Sequence, residues 1–436
     1  TGSYNVAFGE SALRANTTAS YNTAVGRSAL TATTTGQSNS GLGYKVMEAN
    51  TTGGSNTAFG YYALAANTTA SNNTAVGSDA LAANTTGTNN TALGANALDS
   101  NTTGSGHTAL GKQAAHNITT GADNTAVGYL SLSETTTGSN NTAVGKQSLV
   151  ENTASSNTSV GAFSMQDNTT GTRNVAVGVS SAETNTTGSD NISIGHDALK
   201  LNTTGGANVA IGKDAMKANT TSSHNIGIGY RTRVNGTTGS ENVCVGNEAG
   251  EDMTTGNQHT LIGMYAGQQI TTNSASVCVG YKAGRTTGGN SELFIARSDT
   301  ANNNAATWIY GNSSGACYQG NNSTTWTTTS DERIKKNIVD SPNGLAKIDA
   351  LQVRNFNYRT PEEITAEGIT GCDATGLQTG VIAQEIESVL PNAVLEDANG
   401  CKQVNTDPIF WAMVKAIQEL SAKNEALLTR IEALEG

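Results

Sequence analysis

The residues of this chain that could do chemistry are few and scattered. Five cysteines (Cys244, Cys278, Cys317, Cys372 and Cys401) are odd in number and form no CxxC pair. Neither a disulfide framework nor a zinc site is supported. His107 and His259 each stand where a recurring motif elsewhere has Asn. Three-fold symmetry could bring three such imidazoles onto one metal ion; a capped or exposed histidine is the expectation, with no metal and no cofactor. Many Asn-Thr-Thr triplets match the N-glycosylation sequon. Asn and Thr ladders on stacked turns account for them as well, and that structural reading is the expectation.

The element that carries these residues is a repeat. Strings such as NTAVG, NTAFG, NVAVG, NISIG and NVCVG recur, closing on Gly9, Gly26, Gly43 and onward to Gly280. Seventeen such glycines are spaced by 17 residues, except Gly145 to Gly161, which is 16 because one turn residue is deleted. With the glycine at position 5, the consensus reads N-T-A-V-G-x-x-A-L-x-x-N-T-T-G-x-x. Positions 2 and 4 carry Thr, Val, Ile, Leu or Phe around a small residue at 3, which is the period-2 signature of a short strand. Positions 8 and 9, usually Ala-Leu or Ser-Leu, form a second apolar segment. Thr-Thr-Gly at 13 to 15 is turn chemistry, with Gly available for positive φ.

One such repeat cannot bury its own strand, so the repeats must stack as rungs of a β-solenoid with a narrow continuous core. At about 4.8 Å per rung, seventeen rungs make a rod of roughly 80 Å. The bare face at position 3 implies close backbone approach and lets several rods pack together, which points to a homotrimer. The rival geometry is three interwound chains, each climbing the axis faster. Cys244 and Cys278 fall at position 3, two rungs apart with Leu261 between, too far to pair. They are read as small hydrophobes. The chain opens on TGSY, which matches positions 14 to 17, so it is read as a piece of a longer fibre.

Composition supports an ordered repetitive polymer. Charged residues are 14%, against about 25% in ordinary domains. Gly is 50 and Pro only 4 of 436 residues, which excludes collagen and argues against disorder. The net charge of −11, without a basic run, argues against nucleic acid, and no apolar stretch is long enough to insert in a membrane. The average hides a break. Residues 1–285 form the repeat shaft, and 286–329 read as a β-stem connector with ELFIA (292–296) and TWIYG (307–311). Residues 330–436 carry 10 Lys/Arg and 17 Asp/Glu, a separate domain.

That domain ends in a predicted helix. Phe410, Met413, Ile417, Leu420, Asn424, Leu427, Ile431 and Leu434 follow alternating spacings of 3 and 4, an a/d seam with one polar member. Asp407 before Pro408 signals the start, so a coiled coil over about 408–436 is expected. The heptads do not distinguish dimer from trimer.

The repeats resemble the β-roll heads of trimeric autotransporter adhesins and, more closely, repeats of phage tail-fibre proteins. SDERIKKNI (330–338), LAKIDALQVRNFNYR (345–359), GVIAQEIESVLP (380–391) and KQVNTDPIFWAMVKAIQEL (402–420) together resemble the intramolecular chaperone auto-processing domain that ends phage tailspikes and tail fibres, including the endosialidase type. The resemblance implies a small α+β domain that aligns three chains, lets the β-fibre zip up and then cuts itself off. Ser330 would be the nucleophile and Lys335 the base of a Ser-Lys dyad, with the scissile bond at Ser330–Asp331. A Ser needs such a base, and a Lys must lose its proton to act, which burial or neighbouring cations such as Arg333 and Lys336 would favour. Five residues apart on a regular helix the two side chains diverge by about 140°, so Ser330 must precede the helix. The competing reading is that Ser330 is only an N-cap.

The chain is therefore read as mostly β: a trimeric 17-residue-repeat β-solenoid fibre followed by a chaperone domain. Its only enzymatic act would be a single self-cleavage, and no substrate-turnover site is present in the sequence. The implied setting is a virion tail fibre binding a host cell-surface receptor, glycan or protein. The alternative is a cellular surface adhesin or extracellular filament using the same module.

Overall fold

The structure is a computed structural model that describes residues 2–285, 290–296, 307–311, 317–319, 338–359, 376–396 and 401–435. It divides into two units, Thr1–Trp326 and Thr327–Gly436. In the first, seventeen three-residue strands run from β1 (Val6–Phe8) to β17 (Val277–Val279), one per repeat. Each pairs in parallel with the next, position on position: Val6 with Thr23, Ala7 with Ala24, Phe8 with Val25. A three-residue strand holds little alone, and the rest of the rung is tied as well. The Leu30 N–H donates to the Val46 carbonyl at 3.0 Å, and the Ser28 N–H to the Glu10 carbonyl at 2.8 Å. Consecutive repeats of one chain thus pair with each other, and the interwound geometry is overturned.

The 16-residue repeat leaves this register intact, with Thr142 opposite Thr158. Its deletion falls in the Thr-Thr pair. Asn152 Nδ2 reaches the Ala154 carbonyl two residues on, at 2.7 Å, where Asn84 reaches Gly87 three residues on, at 3.0 Å. Beyond β17, β18 (Leu293–Ala296) adds one more parallel strand, and β19 (Thr307–Gly311) and β20 (Cys317–Gln319) follow antiparallel. Phe294 and Tyr310 join the core at this end.

The strand faces are opposite to the sequence expectation. The small residue at position 3 points inward and is fully buried in rung after rung, as at Ala24, Ala58, Ala75 and Ala92. The larger residues at 2 and 4 point out: Leu42 is 54% exposed, Phe59 43%, Ile192 39% and Ile228 37%. The reason is rung width. Leu30, Leu64, Leu81 and Leu98 at position 9 reach into the same core from the opposite side, and a second large side chain would not fit. Gly41 shows the limit, since an added Cβ there would lie 2.5 Å from Leu30 Cδ1. Small position-3 residues therefore make the core thin, and the larger residues at 2 and 4 form the outward surface.

A second expectation fails at the turns. Positive φ falls at positions 7, 9 and 17, on residues of every type: Ser28 (+59°), Leu30 (+49°) and Ser38 (+58°) in one rung. The glycine at 15 is not among them. At position 5 the glycine is required, because φ lies between +119° and +145°, a region closed to L side chains.

The second unit packs around Ile386, Leu390, Ala393 and Ala412. In order it contains α1 (Leu345–Asp349), β21 (Arg354–Phe356), β22 (Gln378–Gly380), α2 (Ala383–Val389), a 3-10 turn (Pro391–Ala393), β23 (Val394–Glu396), β24 (Lys402–Val404) and α3 (Thr406–Glu435). Two antiparallel pairs, β21 with β22 and β23 with β24, complete it.

Candidate functional site

The buried polar residues of the solenoid form two ladders. At position 1, the Asn22 Oδ1 accepts from the Asn39 N–H of the next rung at 2.8 Å, while its Nδ2 donates to the Gly36 carbonyl at 2.9 Å. At position 12, Asn84 Nδ2 donates both to Asn67 Oδ1 and to the Gly87 carbonyl, each at 3.0 Å. A buried amide in a thin core is tolerated when its polar atoms are paired, and stacking pairs both ends of most of them; Asn101 Oδ1, which faces Ile118 in the next rung, has no partner. Position-12 asparagines begin the Asn-Thr-Thr triplets. They are fully buried, with Nδ2 committed to the ladder, and the following Thr adds its own rung-to-rung bond, as Thr51 Oγ1 to the Thr68 carbonyl at 3.0 Å. The triplets are structural.

His107 and His259 belong to the position-1 ladder. His107 Nε2 meets the Gly121 carbonyl at 2.8 Å, and its Nδ1 accepts from the Asn124 N–H at 3.3 Å. His259 repeats this with Asn273 and Ser276. The ring mimics an amide, with Nε2–H as donor and Nδ1 as acceptor, and burial lowers both pKa values. No lone pair is left for a metal at either ring. Among the described residues, one cluster brings ligand atoms together: His196, Asp197 and Asp214, within 4.8 Å of one another. Lys217 Nζ lies 2.7 Å from Asp197 and 3.1 Å from Asp214, and Lys200 lies 3.2 Å from Asp197. Ammonium groups already neutralise these carboxylates. Cys244 and Cys278 are free and buried, each thiol pushed up to about 12 by burial, which makes them unreactive packing residues.

One buried group was not foreseen. Arg233 occupies position 9, where most other rungs carry Leu or Met and the rest Ala or Gly, and is fully buried. Three residues on, position 12 is Gly236, and an added Cβ there would lie 2.5 Å from Arg233 Cζ. The guanidinium fills the missing asparagine's place. The sequence signal was present as the coincidence of Arg at 9 with Gly at 12.

The widest feature is the outward strand face. Positions 2 and 4 of all seventeen rungs, from Val6 and Phe8 to Val277 and Val279, contain no charged residue. At about 4.8 Å per rung and roughly 10 Å across, the face covers about 800 Å². Position 4 is apolar in every rung, while position 2 is Thr or Ser in ten of the seventeen; an uncharged strip of that extent is unusual on a lone soluble chain.

The predicted helical seam is likewise outward. Phe410, Met413, Ile417, Leu420, Leu427, Ile431 and Leu434 are all 47% or more exposed. Asn424 is exposed too, and so is every residue from 421 to 435. A different face, Ala412 and Ala416 with Ile409 beside them, packs on the domain. The helix begins at Thr406, with Asn405 Oδ1 accepting the Asp407 N–H at 3.1 Å. Glu419 anchors it to α1 by accepting the Leu345 N–H at 2.9 Å. Ser330, Asp331, Lys335, Arg333, Lys336 and Cys372 lie outside the described residues. No helix among the described residues is long and apolar enough to cross a membrane.

Residues 330–395 match the family model for the chaperone of endosialidase. The match covers the first three of the four sequence blocks that carried the resemblance and ends before the fourth, 402–420, and the terminal helix.

Proposed function

For a fibre chain that joins a seventeen-rung β-solenoid to a chaperone-of-endosialidase domain, we propose a trimeric phage tail fibre that serves host attachment. Three copies associate along their outward strand faces. The C-terminal domain aligns them through a coiled coil of α3 and is then released by self-cleavage at Ser330–Asp331. The carrying observation is the uncharged face at positions 2 and 4, whose area of about 800 Å² is what one partner contributes to a stable interface of standard size. Another copy is the partner that fits, because only an identical rung spacing matches the ladder rung for rung. The exposed seam of α3 supports the clamp: fifteen uncovered helical residues are marginal in water without a partner.

The clamp has a physical purpose. The repeats are so alike that a one-rung slip between copies is nearly isoenergetic, so register must be set at one end. Removing the clamp afterwards leaves a fibre whose persistence is kinetic. In the cleavage step, Lys335 takes the Ser330 hydroxyl proton, Oγ adds to the carbonyl carbon of the scissile bond, the Asp331 amine leaves with the proton that Lys335 returns, and water hydrolyses the resulting ester to the Ser330 carboxylate. The receptor is a host surface glycan or protein.

The test combines sedimentation of the wild-type chain with denaturing gels and intact mass of wild type, Ser330→Ala and Lys335→Ala. A trimer, and a C-terminal fragment beginning at Asp331 that both substitutions abolish, are expected. An uncut wild-type chain under fibre-forming conditions would sink the cleavage reading, and a monomer would sink the trimer.

A further inference from the structure

The outward face is not uniform, and its change point lies near the one irregular repeat. From β2 to β10 (Thr158–Val160), position 2 is Thr in eight rungs and Ser in one. From β11 (Val175–Val177) to β17 it is Val175, Ile192, Val209, Ile226, Val243, Thr260 and Val277: six aliphatic residues in seven rungs. Position 4 is apolar throughout. The switch comes one rung after the 16-residue repeat, 141–156.

A hydroxyl buried between copies needs a hydrogen-bond partner, and a facing column of valines or leucines supplies none. The column of threonines is therefore suited to a wet edge, while the aliphatic pairs of β11 to β17 can be buried dry on both columns. Their side chains are open in the single chain: Val177 is 36% exposed, Ile192 39%, Ile194 38%, Ile226 37% and Ile228 37%. The inward position-3 residues and the asparagine ladders continue across the boundary, as at Ala210 and Asn208, so the switch does not serve the rung's own core.

We infer that the seven rungs β11 to β17 form a dry two-column seam that holds copies of this chain together, and that rungs β2 to β10 touch through position 4 alone. This rests on the trimer reading above and adds where along the solenoid the association energy lies. The partner is a second copy of this chain, since the seam carries no charged residue and, Thr260 apart, no polar one for a different ligand to meet.

The experiment places the same charge at the same repeat position in each segment of the full chain. Thr91→Asp and Ile192→Asp both alter exposed position-2 residues, so their effects on the single-chain fold are matched and are checked by circular dichroism. Sedimentation velocity should show association weakened at least about a hundredfold by I192D, because a charge is desolvated, and less than about tenfold by T91D. The milder pair Ile192→Thr and Val209→Thr, which installs the residue natural to the earlier rungs, should weaken association roughly tenfold. Equal sensitivity of the two segments in a trimeric wild type overturns this inference alone. A monomeric wild type overturns the trimer reading with it.

Discussion

Arg233 Nη1 donates to Asn219 Oδ1 at 3.0 Å, and Nη2 donates to the Gly239 carbonyl, so one guanidinium makes both bonds that an asparagine makes in neighbouring rungs. Burial, without a facing carboxylate to offset it, holds its pKa down to about 10. Arg233→Leu should remove one of two donors from each of these buried acceptors, which Ser222 Oγ and Asn225 Nδ2 also reach, and destabilise the solenoid by about 1–3 kcal/mol. Arg233→Leu with Gly236→Asn rebuilds the consensus rung and should recover most of that loss. Thermal unfolding of the two variants decides this: equal melting temperatures would mean that the guanidinium is not replacing an amide.

The two ladder histidines should make the fibre acid-sensitive. Their folded pKa values are lowered from 6.5, first by burial, with Arg233 adding to the effect at His259 and the local hydrogen bonds opposing it. The unfolded chain therefore binds more protons, and stability present above about pH 6.5 is lost as the pH falls below it. His107→Asn and His259→Asn keep the ladder bonds and remove the titration. Denaturant midpoints at about pH 7.5 and about pH 5 should differ more for wild type than for the double variant. Carboxylates such as Asp197, held low by Lys217 and Lys200 against the effect of burial, contribute equally to both proteins.

Two glycines of adjacent rungs should respond differently to alanine. A Cβ at either would meet the next rung's carbonyl oxygen, Gly138 for Gly121 and Gly145 for Gly128, but only Gly128, at position 5, also has a φ of +129°. Gly128→Ala should cost at least about 2 kcal/mol. Gly121, at position 15, has no such φ, and alanine is native at that position as Ala19 and Ala70. Gly121→Ala should cost less than half as much in the same melting experiment.

The α3 seam is exposed in the single chain, so charges placed there test association rather than domain packing. Leu427→Asp with Ile431→Asp should lower the helical circular dichroism signal and abolish self-association of the C-terminal end. Asn424→Leu should raise helix stability and broaden the distribution of oligomeric states seen in sedimentation. If L427D/I431D leaves both signals unchanged, α3 does not form a coiled coil.

The repeat, the strand at positions 2 to 4, the obligatory glycine at 5 and the outward seam of α3 were all legible in the order of residues, because each is a matter of local period. Four things were not. Which strand face turns inward was undecidable from alternation, since both faces are apolar or small; the width left beside the position-9 leucines decided it. Positive φ at Ser28, Leu30 and Ser38 carries no residue signature, because stacking on the next rung imposes it. Asn22 and Asn84 read as turn residues by composition, yet each is a buried cross-rung tie whose partners lie 14 or 17 residues away. Arg233 went unread in the sequence, because its fit depends on the space above Gly236. Sequence thus determined what repeats and where the strands fall. Only the stacked rungs decided inside from outside, because burial belongs to the neighbouring rung and not to the repeat itself.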